Sequence, residues 1–363
     1  MKTYRTGLLA VAFACGLLAS AAQADTYVYV GNADSNDIHV LKLNKATGDL
    51  APVQVAPFPG IEKAGPSTPL AVSPDRKFLY AGVRAAPFTA VGFAIDAKTG
   101  RLQHTANGPL ADSMAYIATD RSGKYLLSAS YGGHKITVNP ITPAGTVQAP
   151  SQVITTGQNA HAILPSPDNR YVFATNLGSD VVLTFKFDSA TGMLTQSSPP
   201  NTVAPAKSGP RHLVFHPNGK FAYLLTELSA DIIAYRYDAK AGTLKDLQTV
   251  SIMPAGGAKP WAADLQITRD GRFIYGSERT TSTLTGFKVD ATTGKLTRIG
   301  EVPTQKQPRG FGIDPSSTYL FAVGEQSHAL TAYRINATTG ALTPMKDYPV
   351  GKKPNWVEVI DFK

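Results

Sequence analysis

The sequence predicts an all-β protein, a seven-bladed β-propeller whose blades are four-stranded antiparallel sheets. Three features predict it: a glycine turn that recurs seven times, a polar hairpin turn between successive glycine turns, and a C-terminal segment that resembles a strand missing from the N-terminus. The glycine turns, in segments such as KATGDL and ATTGKL, are centred on Gly48, Gly100, Gly145, Gly192, Gly242, Gly294 and Gly340. Their spacing of 45 to 52 residues is typical of propeller blades and too long for most helical solenoids.

A second marker falls between the glycine turns and predicts how each blade is built. It joins a polar turn to an apolar or alternating strand, as in SPDRKFLY, DRSGKYLL, SPDNRYVF, HPNGKFAY, TRDGRFIY and DPSSTYLF. This pattern indicates a hairpin between the first and second strands of a blade. A third strand such as DIIAYRYD, the glycine turn and a short fourth strand then complete each sheet.

The hairpin marker is missing at the N-terminus, where TYVYVGN begins at the position of a second strand. The C-terminal PNWVEVIDF aligns with the first-strand segments PRHLVFHP and PRGFGIDP. We therefore expect the C-terminal strand to pair with TYVYVGN and to close the ring. Closure covers the strand edges that an open array would leave exposed.

Residues 1–24 are predicted to be a secretory signal peptide, followed by the propeller domain in residues 25–363. Lys2 and Arg5 supply the basic start, an apolar run begins at Leu8, and Ala22-Gln23-Ala24 offers a small-residue cleavage site. Such a signal predicts a periplasmic or secreted protein, and it is favoured over a retained membrane anchor or lipidation of Cys15. No later segment is long enough to span a bilayer, so no integral membrane segment is expected in the mature chain.

The charge balance narrows the class of partner. The formal net charge of +9 falls by two when Lys2 and Arg5 are removed, which slightly favours anionic small molecules. No run of Lys and Arg and no interleaved basic and aromatic stripe is present, so no nucleic-acid partner is expected. The composition predicts no particular oligomeric state.

The propeller register brings two sets of polar residues to one mouth of the central channel, because the loops that enter first strands and the loops that leave second strands share a face. The residues at the starts of first strands are Met114, His161, Arg211, His212, Trp261, Arg309 and Asn355. The residues just after second strands are Arg84, His134, Asp180, Glu227, Glu278, Arg279, Glu325 and His328. A water-filled channel can carry such charges without any catalytic role, but their combination favours a functional site.

Four segments of the chain resemble a known family: YGGHKITVNPI from Tyr131, NAHAILPSPDNRYVFATNLGSD from Asn159, SGPRHLVFHPNGKFAYLLTELSADI from Ser208, and SERTTSTLTGFKVD from Ser277. The Gly-Pro-Arg-His stretch with its downstream Glu is the most specific of them. With these segments the chain resembles the propeller lactonases, the family of bacterial 6-phosphogluconolactonase and fungal carboxymuconate lactonizing enzyme. The resemblance implies a lactonase, a carboxylic ester hydrolase, that acts on a small-molecule lactone. It also implies that His161, Arg211 and Glu227 are the catalytic residues.

The remaining mouth residues are candidate substrate-binding groups: Arg279, His134, Asp180, His212 and Arg309. Lactone hydrolysis needs a base to activate water and positive groups where the oxyanion develops, and it needs no cofactor. Either Glu227 or His161 could be the base, while Arg211 and Arg279 could hold the oxyanion or an anionic part of the substrate. Because these side chains are expected to lie in channel solvent, their replacement is expected to leave the fold intact.

No metal site is predicted, because the sequence contains no HExxH motif, no EF-hand loop and no paired cysteines. The predicted function is therefore a metal-independent periplasmic hydrolase that opens a sugar lactone of the glucono-1,5-lactone type to the aldonic acid. Two alternatives stay open. One is activity of the 6-phosphogluconolactonase type on a phosphorylated lactone, and the other is a non-catalytic YVTN-type propeller that binds a protein or glycan through its channel face.

Overall fold

The strands form where short runs of β-branched and aromatic residues alternate with polar turns that contain glycine, aspartate or asparagine. The computed structural model describes residues 1–3 and 25–362, so from position 4 onward the predicted signal peptide lies outside the described residues. Within the described part, no helix has the length and hydropathy needed to cross a membrane.

The described residues form 28 strands and one short 3-10 helix, Leu177–Ser179. In chain order the strands are β1 (Asp25–Asn32), β2 (Asp37–Leu43), β3 (Leu50–Pro57), β4 (Leu70–Val72), β5 (Phe78–Val83), β6 (Thr89–Ile95), β7 (Leu102–Pro109), β8 (Met114–Thr119), β9 (Tyr125–Ser130), β10 (Lys135–Pro140), β11 (Gln152–Thr155), β12 (Ala160–Pro165), β13 (Tyr171–Asn176), β14 (Val181–Phe187), β15 (Leu194–Val203), β16 (Pro210–Phe215), β17 (Phe221–Thr226), β18 (Asp231–Asp238), β19 (Thr243–Ser251), β20 (Ala262–Ile267), β21 (Phe273–Glu278), β22 (Thr283–Val289), β23 (Leu296–Pro303), β24 (Pro308–Ile313), β25 (Tyr319–Gly324), β26 (Ala329–Ile335), β27 (Leu342–Pro349) and β28 (Pro354–Phe362).

These strands make seven four-stranded antiparallel sheets, which we number as blades 1 to 7 in chain order. Blades 2 to 7 each use four consecutive strands, whereas blade 1 has the order β28-β1-β2-β3. Strand β28 is the segment PNWVEVIDF, and it pairs with β1 so that Tyr27 lies opposite Ile360 and Val30 opposite Val357. The predicted seven-bladed propeller closed by its C-terminal strand is therefore confirmed.

The first strand of every blade lines the central channel. Each of these strands contacts the first strand of the next blade, from β4 through β8, β12, β16, β20 and β24 to β28, and β28 contacts β4 in turn. The ring is thus continuous at its centre, and the loops that enter the first strands surround one mouth of the channel.

Each blade is held to its neighbour by an apolar cluster and by a glycine that lies on an aromatic ring. Each of the seven repeat glycines has a positive φ between +68° and +83°. A Cβ added to Gly100 would overlap the ring of Tyr27, and one added to Gly294 would overlap the ring of Phe221. The same contact recurs around the ring, because each repeat glycine packs on an aromatic residue at or near the start of the second strand of the preceding blade. Only glycine combines this backbone conformation with so close an approach.

A matched pair of variants can separate the stability that comes from packing on the aromatic ring from the strain of placing a side chain at a positive φ. Gly294 and Gly219 have φ values of +75° and +69°, but a Cβ at Gly219 would meet nothing within 4 Å. We expect Gly219→Ala to cost about 1 kcal/mol of unfolding free energy from strain alone. We expect Gly294→Ala to cost a further ~1–3 kcal/mol because it must displace the ring of Phe221. Urea unfolding of the two variants measures the difference, and equal losses would contradict the packing role.

Candidate active site

β-Bulges in the inner strands orient several of the side chains at the channel mouth. In β12, β16 and β24 the register shifts at one residue, which leaves His161, Arg211 and Arg309 without a partner on the adjacent second strand. Such β-bulges bend the strand and redirect the side chain of the extra residue. The bulges in β12 and β16 share one hydroxyl: Thr175 accepts the N–H of Ala162 at 3.0 Å and donates to the carbonyl of Arg211 at 2.7 Å.

The centre of the site is the carboxylate of Glu227, which directly follows β17. Its Oε2 atom accepts a hydrogen bond from Arg211 Nε at 2.8 Å and forms an ion pair with Arg279 Nη2 at 3.0 Å. Burial alone would raise the pKa of Glu227, but Arg211, Arg279 and Arg309 outweigh it and hold the pKa below its usual value. Glu227 is therefore an anion at neutral pH. Its other oxygen, Oε1, has no hydrogen-bond partner among the described residues.

Arg279 is held in place by the backbone at the start of β20. Its Nε donates to the carbonyl of Trp261 at 3.1 Å, its Nη2 donates to the carbonyl of Ala262 at 2.9 Å, and its guanidinium lies 3.9 Å from the centre of the Trp261 ring. Burial, together with the nearby charge of Arg211, lowers the pKa of Arg279 to about 9. The group is still protonated at neutral pH.

Arg211 is fixed from below by a chain of hydrogen bonds that the sequence did not predict. Its Nη1 lies 3.0 Å from His212 Nε2 and also donates to the carbonyl of Ala263, and His212 Nδ1 lies 2.8 Å from Asp264 Oδ1. A guanidinium can only donate, so His212 Nε2 accepts and the proton sits on Nδ1, facing Asp264. The imidazole is neutral, in line with burial and the charge of Arg211 lowering its pKa to about 4.

Asp264 was missed because blade 6 has no obvious motif at this point. Only its position in the repeat could have indicated Asp264 from the sequence. His212 and Asp264 occupy the same position in the first strands of neighbouring blades, 52 residues apart. The carboxylate also accepts the N–H of Phe311 at 3.1 Å from the next blade. Asp264 therefore links three inner strands beneath Arg211.

His161 lies beside this chain, on the neighbouring blade. Its ring centre is 5.4 Å from that of His212 and 5.9 Å from that of Tyr131. Burial and the charge of Arg211 lower the pKa of His161 well below its usual value, so the ring is neutral. Its Nδ1 atom is buried and has no hydrogen-bond partner among the described residues.

A second pair of arginines lies on the other side of the mouth, on blades 2 and 7. Arg84 Nη1 donates to Ser67 Oγ at 2.7 Å, and Arg84 Nε donates to Ser113 Oγ at 3.2 Å. Arg309 Nη2 lies 3.5 Å from the same Ser67 hydroxyl, and its Nε lies 3.9 Å from Glu325. The two serines were not singled out from the sequence, since a lone serine in a loop carries no distinctive pattern.

His134 and Asp180 are not brought into this cluster. His134 is exposed, and its Nδ1 accepts the N–H of Asn159 at 3.0 Å. Asp180 accepts the N–H groups of Lys207 at 2.7 Å and Gly209 at 2.9 Å. Both side chains thus hold the loops that lead into β12 and β16. Their predicted contact with substrate stays a prediction.

The expectation that the site side chains lie in channel solvent was wrong. Arg211 is 1% exposed, His161 4% and His212 6%. The reason is that these side chains pack against groups of the neighbouring inner strands: Arg211 bonds to the carbonyl of Ala263, His212 bonds to Asp264, and the ring of His161 lies 5.4 Å from that of His212. Glu227 and Arg309 keep more access, with side chains 13% and 14% exposed. Replacing Arg211 would therefore leave Glu227 with one ion-pair partner fewer and disturb the fold.

The donor set of the site does not resemble a metal centre. Within residues 1–3 and 25–362, no group of three or more His, Cys, Asp and Glu side chains is arranged to hold a metal ion. The carboxylates of Glu227 and Asp264 instead face guanidinium and imidazole groups. Metal-independent hydrolysis stays a prediction to be tested by activity.

Comparison with known proteins agrees with this architecture. Residues 55–359 match the family described as lactonase, 7-bladed beta-propeller. Proteins named 6-phosphogluconolactonase from Pectobacterium carotovorum subsp. carotovorum and Serratia proteamaculans are 38% and 39% identical over 301 residues, which is 83% of this chain and 88% of each relative. The periplasmic gluconolactonase structure from Pseudomonas aeruginosa superimposes with a TM-score of 0.85 at 26% identity, covering 93% of this chain and all of that chain. The chain therefore belongs to the lactonase family of seven-bladed β-propellers and is a lactone-hydrolysing enzyme.

Proposed function

We propose that the mature protein is a periplasmic lactonase that opens a sugar lactone of the glucono-1,5-lactone type to the aldonic acid. The observation that carries this proposal is the Glu227 carboxylate, held between Arg211 and Arg279 at the mouth of the channel. The predicted signal peptide and the likeness to a periplasmic gluconolactonase support the compartment and the unphosphorylated substrate.

A second candidate substrate is the phosphorylated form of the same lactone. It is favoured by the name 6-phosphogluconolactonase that the curated relatives carry at 36–39% identity. The phosphorylated sugar belongs to cytoplasmic metabolism, whereas an exported enzyme meets the unphosphorylated lactone. The predicted export therefore places the unphosphorylated lactone first.

In the proposed reaction, water attacks the lactone carbonyl carbon and gives up a proton to a base. The carbonyl oxygen becomes an oxyanion, the bond from carbon to the ring oxygen then breaks, and the ring oxygen leaves as a hydroxyl after taking up a proton. The net change is the addition of one water molecule. The protein must supply a proton acceptor and donors that stabilise the oxyanion.

Glu227 is the better placed of the two candidate bases. Both arginines contact its Oε2 atom, so Oε1 is available to accept a hydrogen bond from water. His161 Nδ1 is also without a partner among the described residues, but it is fully buried. We therefore assign the base to Glu227 and propose that His161 borders the substrate. The arginines hold the pKa of Glu227 below its usual value, so the carboxylate is ionised and can accept a proton at neutral pH.

The two arginines can serve as the oxyanion donors without leaving Glu227. Arg211 Nη2 and Arg279 Nη1 have no hydrogen-bond partner among the described residues. Their guanidiniums are fixed by the carbonyls of Ala263, Trp261 and Ala262. Donors that are fixed before reaction stabilise a developing charge with little reorganisation.

The test of the proposal is a panel of sugar lactones assayed with the purified mature protein. We expect hydrolysis of glucono-1,5-lactone above the spontaneous rate, because the site combines a carboxylate with two fixed guanidiniums. The measurement is acid release at constant pH, with the spontaneous rate subtracted. Rates equal to the spontaneous ones for every lactone would refute the proposal and favour a propeller that only binds its ligand.

Replacing Glu227 with Gln tests the assigned base. The amide keeps the shape of the side chain but cannot take the proton, so kcat/KM on the best lactone should fall roughly a hundredfold or more. His104→Ala is the control, since His104 is exposed on β7 and bonds only to Asn107 among the described residues. Turnover of the Glu227→Gln variant at the wild-type rate would remove Glu227 from the mechanism.

Exhaustive treatment with a chelator tests the metal-free mechanism. We expect kcat/KM to be unchanged, because the positive field at the oxyanion comes from Arg211 and Arg279. The protein is dialysed against EDTA and assayed with and without added calcium, zinc and magnesium. Activity that is lost to the chelator and restored by one of these ions would contradict the assignment.

A further inference from the structure

We propose that Arg84, Arg309 and Ser67 form an anion-binding subsite on the side of the mouth formed by blades 2 and 7, which binds a negatively charged substituent of a sugar lactone. The inference rests on the proposed lactonase function, and it predicts that a lactone with such a substituent binds more tightly than the uncharged glucono-1,5-lactone. The two groups that fit are a phosphate ester and a carboxylate, since both present oxygens that accept hydrogen bonds from guanidinium.

The first observation is that Arg84 is charged but has no acidic partner. Its hydrogen bonds go to the hydroxyls of Ser67 and Ser113, and no carboxylate among the described residues lies within ion-pair distance. Burial, with Arg309 and Arg211 nearby, lowers the pKa of Arg84 to about 9, which still leaves it protonated at neutral pH. A half-buried cation of this kind is stabilised by an anion that enters the site.

The second observation is that the guanidinium of Arg309 also lacks close hydrogen-bond and ion-pair partners. Its Nε atom is buried and has no hydrogen-bond partner among the described residues, and its contact with Glu325 is long, at 3.9 Å. Its Nη2 lies 3.5 Å from Ser67 Oγ, the atom that already accepts from Arg84. The Ser67 hydroxyl thus accepts from two cations and keeps its own proton to donate to an anion.

The third observation is where the carboxylates of the mouth are bonded. Glu227 is paired with Arg211 and Arg279, Asp264 is bonded to His212, and Glu278 accepts hydrogen bonds from Trp261 and Thr281. Among the described residues, only Glu325 lies within ion-pair distance of Arg84 or Arg309, at 3.9 Å from Arg309 Nε.

The blades separate Arg84 and Ser67 from the reacting centre, and Arg309 lies between the two. Ser67 precedes β4 and Arg84 follows β5 in blade 2, whereas Glu227 and Arg279 follow second strands of blades 5 and 6. Arg309 lies on β24 in blade 7, next to blade 6, and its charge contributes to lowering the pKa values of both Glu227 and Arg84. A sugar that spans the mouth can place its lactone carbonyl at Glu227 and its charged substituent at Arg84.

Binding to the mature protein tests the subsite without relying on turnover. Calorimetry is run with 6-phosphogluconate, with glucarate and with gluconate as the reference that lacks the second anionic group. We expect Arg84→Met to weaken binding of 6-phosphogluconate, glucarate or both by roughly tenfold to a hundredfold. Arg101→Met is the matched control, because Arg101 is an exposed arginine of the same blade, and it should leave the affinities unchanged.

The results also show whether the subsite binds phosphate or carboxylate. They separate a failure of the proposed subsite from a failure of the proposed lactonase function. A loss for 6-phosphogluconate alone assigns the subsite to phosphate, and a loss for glucarate alone assigns it to carboxylate. Unchanged affinities in Arg84→Met, or no preference of the wild type for either doubly anionic sugar over gluconate, would overturn the subsite. Ser67→Ala provides a second variant, with the same expected loss, in case Arg84→Met does not fold. Hydrolysis of glucono-1,5-lactone by the wild type reports separately on the proposed function.

Discussion

The fold depends on one repeated contact, the close approach of a turn glycine to an aromatic ring in the neighbouring blade. At Gly100, Gly294 and the five equivalent turns, the backbone is left-handed and a Cβ would occupy the space of the ring. A tyrosine two residues further along the same strand can add a hydrogen bond: Gly294 packs on Phe221, and Tyr223 donates to the carbonyl of Gly294 at 3.1 Å. This contact sets how far each blade approaches the next, and therefore how wide the channel is.

The width of the channel in turn decides the character of the site. The inner strands are close enough for Arg211 and His212 to be enclosed, so their charges and hydrogen bonds must be satisfied by the protein. The carbonyl of Ala263 and the carboxylates of Glu227 and Asp264 do this. Burial of an unpaired guanidinium would cost free energy, but burial with these partners fixes its N–H donors in place. Fixed donors are the condition for stabilising an oxyanion.

The charged side chains on the two sides of the mouth differ in how many hydrogen-bond and ion-pair partners they have. On blades 5 and 6, Glu227 is paired with two guanidiniums, and Arg211 and Arg279 also donate to backbone carbonyls. On blades 7 and 2, Arg84 and Arg309 share a neutral hydroxyl, and Arg84 has no carboxylate beside it among the described residues. A site that is complete on one side and short of an anion on the other suits a substrate that carries its charge away from the reacting carbonyl.

The sequence by itself determined the repeat, the number of blades, the strand that closes the ring and the mouth at which Arg211, Glu227 and Arg279 meet, because each follows from periodic turns and the alternation of strands. It did not determine how deeply the site side chains are buried. The expectation that Arg211 lies in solvent was wrong for that reason. It also missed Asp264 and Ser67, whose roles arise between blades. Burial and hydrogen bonding at a ring centre depend on the distance between strands from different repeats, and only the tertiary structure decides that distance.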